Sequence, residues 1–154
     1  GLKGSIYEGG IRVPLIVRWP GKIKPGRTSE RMGAFWDLLP TLCELTGTAA
    51  PNDIDGVSFA GELLGRPQPP RDFLYWEFPS YSGQQALRKG DWKAVRTGLM
   101  QRGEHKTQLY NLAQDPGETK DVAAEHADVV AELEALMRKS HTRSKLFPFP
   151  ALDK

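Results

Sequence analysis

Residues 1–21, GLKGSIYEGGIRVPLIVRWPG, set a charged, glycine-bracketed loop directly ahead of an apolar run. Within IRVPLIVRW (11–19), Ile11, Val13, Leu15, Ile16 and Val17 are apolar and mostly β-branched, and PGKIKPG (20–26) closes the run with two Pro-Gly turns. A continuous apolar run bounded by turn signals predicts a strand covered on both faces, as in a mostly parallel sheet. Pro14 removes one ladder donor, which places it at an edge, a bulge or the strand's entry. Such a strand needs neighbours for its ladder groups and for both faces. The opening is therefore expected to be the end of a larger α/β layer.

Downstream, Met32, Phe35, Trp36, Leu39, Leu42, Cys43 and Leu45 recur at helical steps, predicting a helix from Ser29 to Leu45 with Gly47 as its C-cap. Pro40 is expected to kink or split it. The stretch TAAPNDIDGVSF (48–59) reads as a loop turning at Asp55-Gly56, and FAGELLG (59–65) as a short helical piece. The Pro-rich RPQPPRD (66–72) marks a boundary, dividing the chain into residues 1–66, the end of an α/β domain, and 67–154, a C-terminal subdomain.

Beyond it the period changes. FLYWEF (73–78), QQALRKG (84–90), DWKAVRTG (91–98) and TQLYNL (107–112) are short strand-like runs between turns, which predicts an antiparallel meander. Val129, Val130, Leu133, Leu136 and Met137 give one apolar face to a helix over 127–140. The tail KLFPFPALDK (145–154) has no regular pattern, and its two Phe are expected to pack. The fold class read here is α/β: a terminal strand and helix of a large domain, then a small antiparallel sheet with a packed helix.

The 154 residues suffice for one ordinary domain, or for a small domain with an appendage. With 21 basic and 19 acidic residues well mixed, the net charge of +2 gives no electrostatic footprint for nucleic acid or an anionic membrane. No apolar run approaches the ~18 residues of a membrane span. The lone Cys43 cannot form an internal disulfide and reads as a small hydrophobe in a helix.

Chemistry is sparse. There is no G-x-S-x-G motif, and His105, His126 and His141 lack metal-ligand spacing and read as surface residues. The cluster Asn52 to Asp55 reads as turn chemistry, so no metal ligand is assigned. The glycines of EGG (8–10) lie on the wrong side of the apolar run for a phosphate-cradling loop. Lys3 stands among glycines that permit close backbone approach; by spacing alone it is an exposed loop lysine whose ammonium can act on an anion as a point charge.

KGSIYEGGIRVPLIVRWPGKIKPG (3–26) resembles a stretch of the type I sulfatases, the arylsulfatase and N-acetylgalactosamine sulfatase family. WDLLPTLCELTG (36–47), DGVSFAGELLG (55–65) and LYNLAQDPGETKDVA (109–123) resemble further family segments in the same order. The resemblance implies an alkaline-phosphatase-like fold of which this chain is the C-terminal part. It also implies hydrolysis of sulfate esters by the parent protein, by family frequency those of sugars, with a formylglycine nucleophile and calcium. Neither cofactor is assigned to this chain, because CELTG (43–47) departs from the family's C-x-P-x-R motif at Pro and Arg. Lys3 matches the family lysine that contacts a sulfate oxygen. Glu8, Gly9, Gly10 and Arg12 are implied as structural loop residues, Arg12 in an ion pair, while Trp76, Glu77 and His105 are weaker candidates for substrate specificity.

The implied partners are a missing N-terminal sulfatase domain or companion chain and a sulfated small molecule or glycan. The isolated chain is expected to be inactive. Two other readings stand beside this one: a non-catalytic glycan- or partner-binding module, dimerising through the orphan strand, and a phosphate or phosphonate ester hydrolase of the same superfamily. The compartment stays open among periplasmic, secreted and lysosomal.

Overall fold

The computed structural model describes residues 2–153. The chain divides into two compact units, one made of the opening residues up to Val13 together with the chain from Tyr75 onward, the other of Pro14–Leu74.

The first unit is built on a four-stranded sheet of β1 (Leu74–Phe78), β2 (Gln84–Lys89), β3 (Trp92–Thr97) and β4 (Gln108–Asn111), in the order β1-β2-β3-β4. This is the expected meander. β2 and β3 pair antiparallel with Leu87 opposite Ala94, and β3 and β4 with Lys93 opposite Tyr110. Because side chains alternate along a strand, each strand serves two faces. On one face lies the helix over Ala127–Ser140, which packs against β2 and β3 and buries Leu133 and Met137. Its residues Val129, Val130 and Leu136 are half-buried beside them, as the 3.6-residue period requires.

The opposite face is covered by the start of the chain. Ile6 packs in a core cluster with Ala86, Val95, Tyr110 and Leu112, and Tyr7, Trp76 and Phe78 close over it. Here the structure differs from the sequence expectation. Glu8–Ile11 form a single helical turn, α1, and no strand follows it. Val13, Leu15 and Ile16 are exposed, at 55%, 63% and 89%. The apolar composition of 11–19 is that of a strand, but a strand exists only through a paired neighbour, and among the described residues none runs beside this segment. In the tail, Phe149 is buried and Phe147 is exposed, so one of the two expected Phe packs.

In the second unit the predicted long helix is shorter. Residues 29–34 are not helical; a 3-10 turn at Phe35–Asp37 leads into α2 (Leu38–Thr46). Pro40 falls in the first turn of α2, where its missing N–H leaves no helical bond unmade. Gly47 ends the helix in the left-handed conformation, φ 72°, as expected of a C-cap. α3 (Ala60–Leu64) ends on Gly65 in the same way, and the helix at Ala127–Ser140 is hereafter α4. Asp37, which closes the 3-10 turn, is buried with Pro40 and Thr41 of α2, and Leu38, Cys43 and Leu45 are half-buried, while Phe35, Leu39 and Leu42 are exposed. Asp37 is buried with its acceptors satisfied. Its carboxylate accepts hydrogen bonds from the N–H groups of Ala34 (3.0 Å) and Val57 (2.9 Å) and pairs with Arg71 at 2.5 Å, while Thr41 Oγ1 accepts from Phe59 N at 3.0 Å.

Candidate functional site: a clamped lysine loop

Lys3 is exposed on a loop whose backbone is held at successive positions by the sheet beneath it. Gly4 adopts φ +84°, and a Cβ there would fall 2.4 Å from the Tyr81 ring. The loop doubles back on itself, with Ser5 N donating to Leu2 O at 3.1 Å. A Cβ on Gly10 would fall 2.1 Å from Ser5 O, so glycine is demanded at this close backbone approach. The Gln84 side chain grips both sides of the turn: its Nε2 donates to Gly4 O at 3.0 Å and its Oε1 accepts from Ile6 N at 3.3 Å.

Tyr7 follows, donating its hydroxyl to Gln108 Oε1 and meeting Tyr110 edge to face at 6.0 Å. Burial, reinforced by the nearby Glu118 carboxylate and only partly opposed by a hydrogen bond with Tyr110, raises its phenol above the ordinary value and keeps it a donor. Glu8 is 6% exposed, and its carboxylate sits 2.8 Å from Lys93 Nζ, itself fully buried. Lys93 Nζ also lies 2.9 Å from Glu118 Oε1, and Glu118 Oε2 accepts from the Glu8 backbone N–H. Arg88 approaches the other Glu8 oxygen at 3.9 Å. Two carboxylates and two cations thus balance, as buried charge requires.

The remaining candidate residues distribute around this loop. Gly9 is exposed in α1 and Gly10 half-buried. Arg12, expected in an ion pair, is exposed and makes none among the described residues; Glu8, the acid of its own loop, is engaged by Lys93 and Arg88. Trp76 packs over the same cluster as Ile6 and Tyr7. Glu77, its neighbour on β1, faces His141, with Oε1 2.6 Å from Nδ1, and also accepts from the Tyr75 hydroxyl. His105 is half-buried, its Nε2 2.8 Å from Gln101 O.

Sequence reading missed Gln84, Lys93 and Glu118. Lys93 carried a faint signal: it interrupts a strand at a position that alternation turns toward the core, where an ammonium requires a partner. Glu118 stands in the family-like segment 109–123, but nothing in its spacing says which residues it meets.

Among the described residues no three His, Cys, Asp or Glu side chains converge to hold a metal ion. Cys43 is half-buried in α2 and lacks the modification motif. Among the described residues no helix is long and apolar enough to cross a membrane.

The family model for "N-sulphoglucosamine sulphohydrolase, C-terminal" matches residues 3–143, and the chain belongs to this family. It is 32% identical to an N-acetylgalactosamine-6-O-sulfatase of Bacteroides thetaiotaomicron, over 93% of this chain and 30% of that protein. It is 34% identical to human arylsulfatase A, over 94% of this chain and 32% of that protein. Among solved structures, the phosphonate monoester hydrolase of Silicibacter pomeroyi superposes with a TM-score of 0.72 at 27% identity, covering 89% of this chain and 30% of that one. The chain thus spans about a third of the length of these relatives. Its fold is that of the C-terminal part of the alkaline-phosphatase-like sulfatases.

Proposed function

We propose that this chain is the C-terminal part of a sulfatase that hydrolyses sulfate esters of sugars, and that Lys3 is its contribution to the sulfate pocket. The carrying observation is the Lys3 loop: an exposed ammonium on a backbone held by Gln84 and the Glu8–Lys93–Glu118 cluster, inside the matched family region. Breaking a sulfate ester's S–O bond moves negative charge onto oxygen. A cation held in place before the reaction stabilises that charge without the reorganisation that water would require. Nucleophile and metal ligands would lie in an upstream domain. The exposed apolar residues of the second unit, Leu15, Ile16, Phe35, Leu39 and Leu42, support such a domain, since a monomer rarely leaves so much apolar surface in water.

Sugar sulfates are favoured as substrates by the likeness to the N-acetylgalactosamine-6-O-sulfatase. The second reading, a phosphonate monoester hydrolase, draws on the Silicibacter pomeroyi structure, because the same loop and cation would serve either tetrahedral anion. The discriminating experiment assays the full-length protein on a sulfated monosaccharide and on a phosphonate monoester under the same conditions. Higher kcat/KM on the sulfate ester supports the first reading, and the reverse order establishes the second.

A further inference from the structure

Lys93 and Glu118 come from distant parts of the chain to meet Glu8, with sequence separations of 85 for the Lys93–Glu8 pair and 110 for the Glu118–Glu8 contact. Their side chains are 0% and 2% exposed. Buried ionic clusters of this kind add little to stability that apolar side chains of similar volume would not supply. What they do add is direction. Glu118 fastens Glu8 twice, through the Glu8 backbone N–H and through the shared Lys93 ammonium. It does so from a left-handed backbone conformation, φ +54°, that a non-glycine residue adopts only at a cost. The segment between this lock and Lys3 has little slack, because Gly10 lies tight against the Ser5 carbonyl and Gln84 holds Gly4 and Ile6.

We propose that Lys93 and Glu118 are positioning residues: acting through Glu8, they fix the loop that presents Lys3 to the substrate anion. The inference rests on the reading of Lys3 as a sulfate contact. Neither residue touches substrate; they set where the ammonium stands, and a lock of charges tolerates less displacement than an apolar contact of the same area.

Two measurements test this. In the full-length enzyme, hydrogen exchange is followed at the Ile6, Glu8 and Gly10 amides and, as the reference, at Ala94 and Val95 of β3. In Glu118→Gln, which leaves the Lys93–Glu8 pair in place, the loop amides should exchange at least ~10-fold faster relative to the sheet amides. Loop and sheet loosening together, or neither changing, overturns the lock. In the full-length enzyme, kcat/KM is measured for Lys3→Ala, Glu118→Gln and the double variant. The double variant should cost no more than Lys3→Ala alone, because Glu118 acts through Lys3. Additive losses overturn the proposal. If Lys3→Ala itself leaves turnover unchanged, the sulfate-contact reading fails, while hydrogen exchange still decides whether Lys93 and Glu118 hold the loop.

Discussion

Lys93 Nζ lies 2.8 Å from Glu8 Oε1, in a place where neither charge meets solvent. Removing one partner of such a pair strands the others. Lys93→Met is expected to destabilise the chain by about 3–5 kcal/mol, whereas replacing the cluster together, Lys93→Met with Glu8→Gln and Glu118→Gln, should recover most of that loss. Urea denaturation of the three proteins checks both statements. A single variant as stable as the parent would mean the cluster is not ionic.

Asp37 has the same character in the second unit. Fully buried, it accepts from Ala34 N and Val57 N and pairs with Arg71, so it joins the entry of α2 to the loop before α3. Asp37→Ala should cost about 3–5 kcal/mol, because Arg71 and two N–H groups lose their acceptor. Thermal unfolding followed by circular dichroism reads the loss.

Glycines can be ranked by what a side chain would meet. Gly10→Ala places Cβ 2.1 Å from a backbone oxygen and should destabilise by about 3 kcal/mol, with the Lys3 loop displaced. Gly90→Ala, at φ +57° with open space around it, pays only for its conformation, about 1 kcal/mol. Comparable losses at the two positions would mean the tight loop is not formed.

His141 joins the end of α4 to the tail. Nδ1 faces Glu77 at 2.6 Å and Nε2 faces Asp153 at 2.9 Å, while Asp153 also accepts from Phe149 N. Burial lowers the imidazolium's pKa, but the two carboxylates more than offset this and hold it above the ordinary 6.5. A raised folded-state pKa contributes stability that is complete below the unfolded value and is lost as pH rises through the folded one. Stability of the tail should therefore fall as pH climbs above about 6.5, and His141→Leu should remove that slope at a cost of about 2 kcal/mol. Thermal midpoints across pH 5.5 to 8.5, an interval of about three units around that reference, test the direction.

Patterns of short range were legible in the sequence. The switch from helical to alternating period located the four strands, and five apolar positions outlined α4. Contacts of long range were not. Residues 11–19 have a strand's composition, yet pairing depends on a neighbour that composition does not reveal. Of the apolar residues read as the first helix's buried face, Trp36, Cys43 and Leu45 are half-buried and Phe35, Leu39 and Leu42 exposed, while Asp37 and Thr41 lie inside and accept from the backbone N–H groups of 57 and 59. Lys3 was singled out as a candidate only through the family resemblance. The cluster beneath it was not legible, since the sequence says nothing of which strand lysine meets which loop carboxylate.

The most direct test of the account is kcat/KM for sulfate-ester hydrolysis by the full-length enzyme with and without Lys3→Ala. Loss of a preorganised cation at the developing charge should lower it by roughly 100-fold or more, with unfolding unchanged because Lys3 is exposed. Turnover equal to that of the parent protein would show that this loop, however firmly held, does not serve the sulfate.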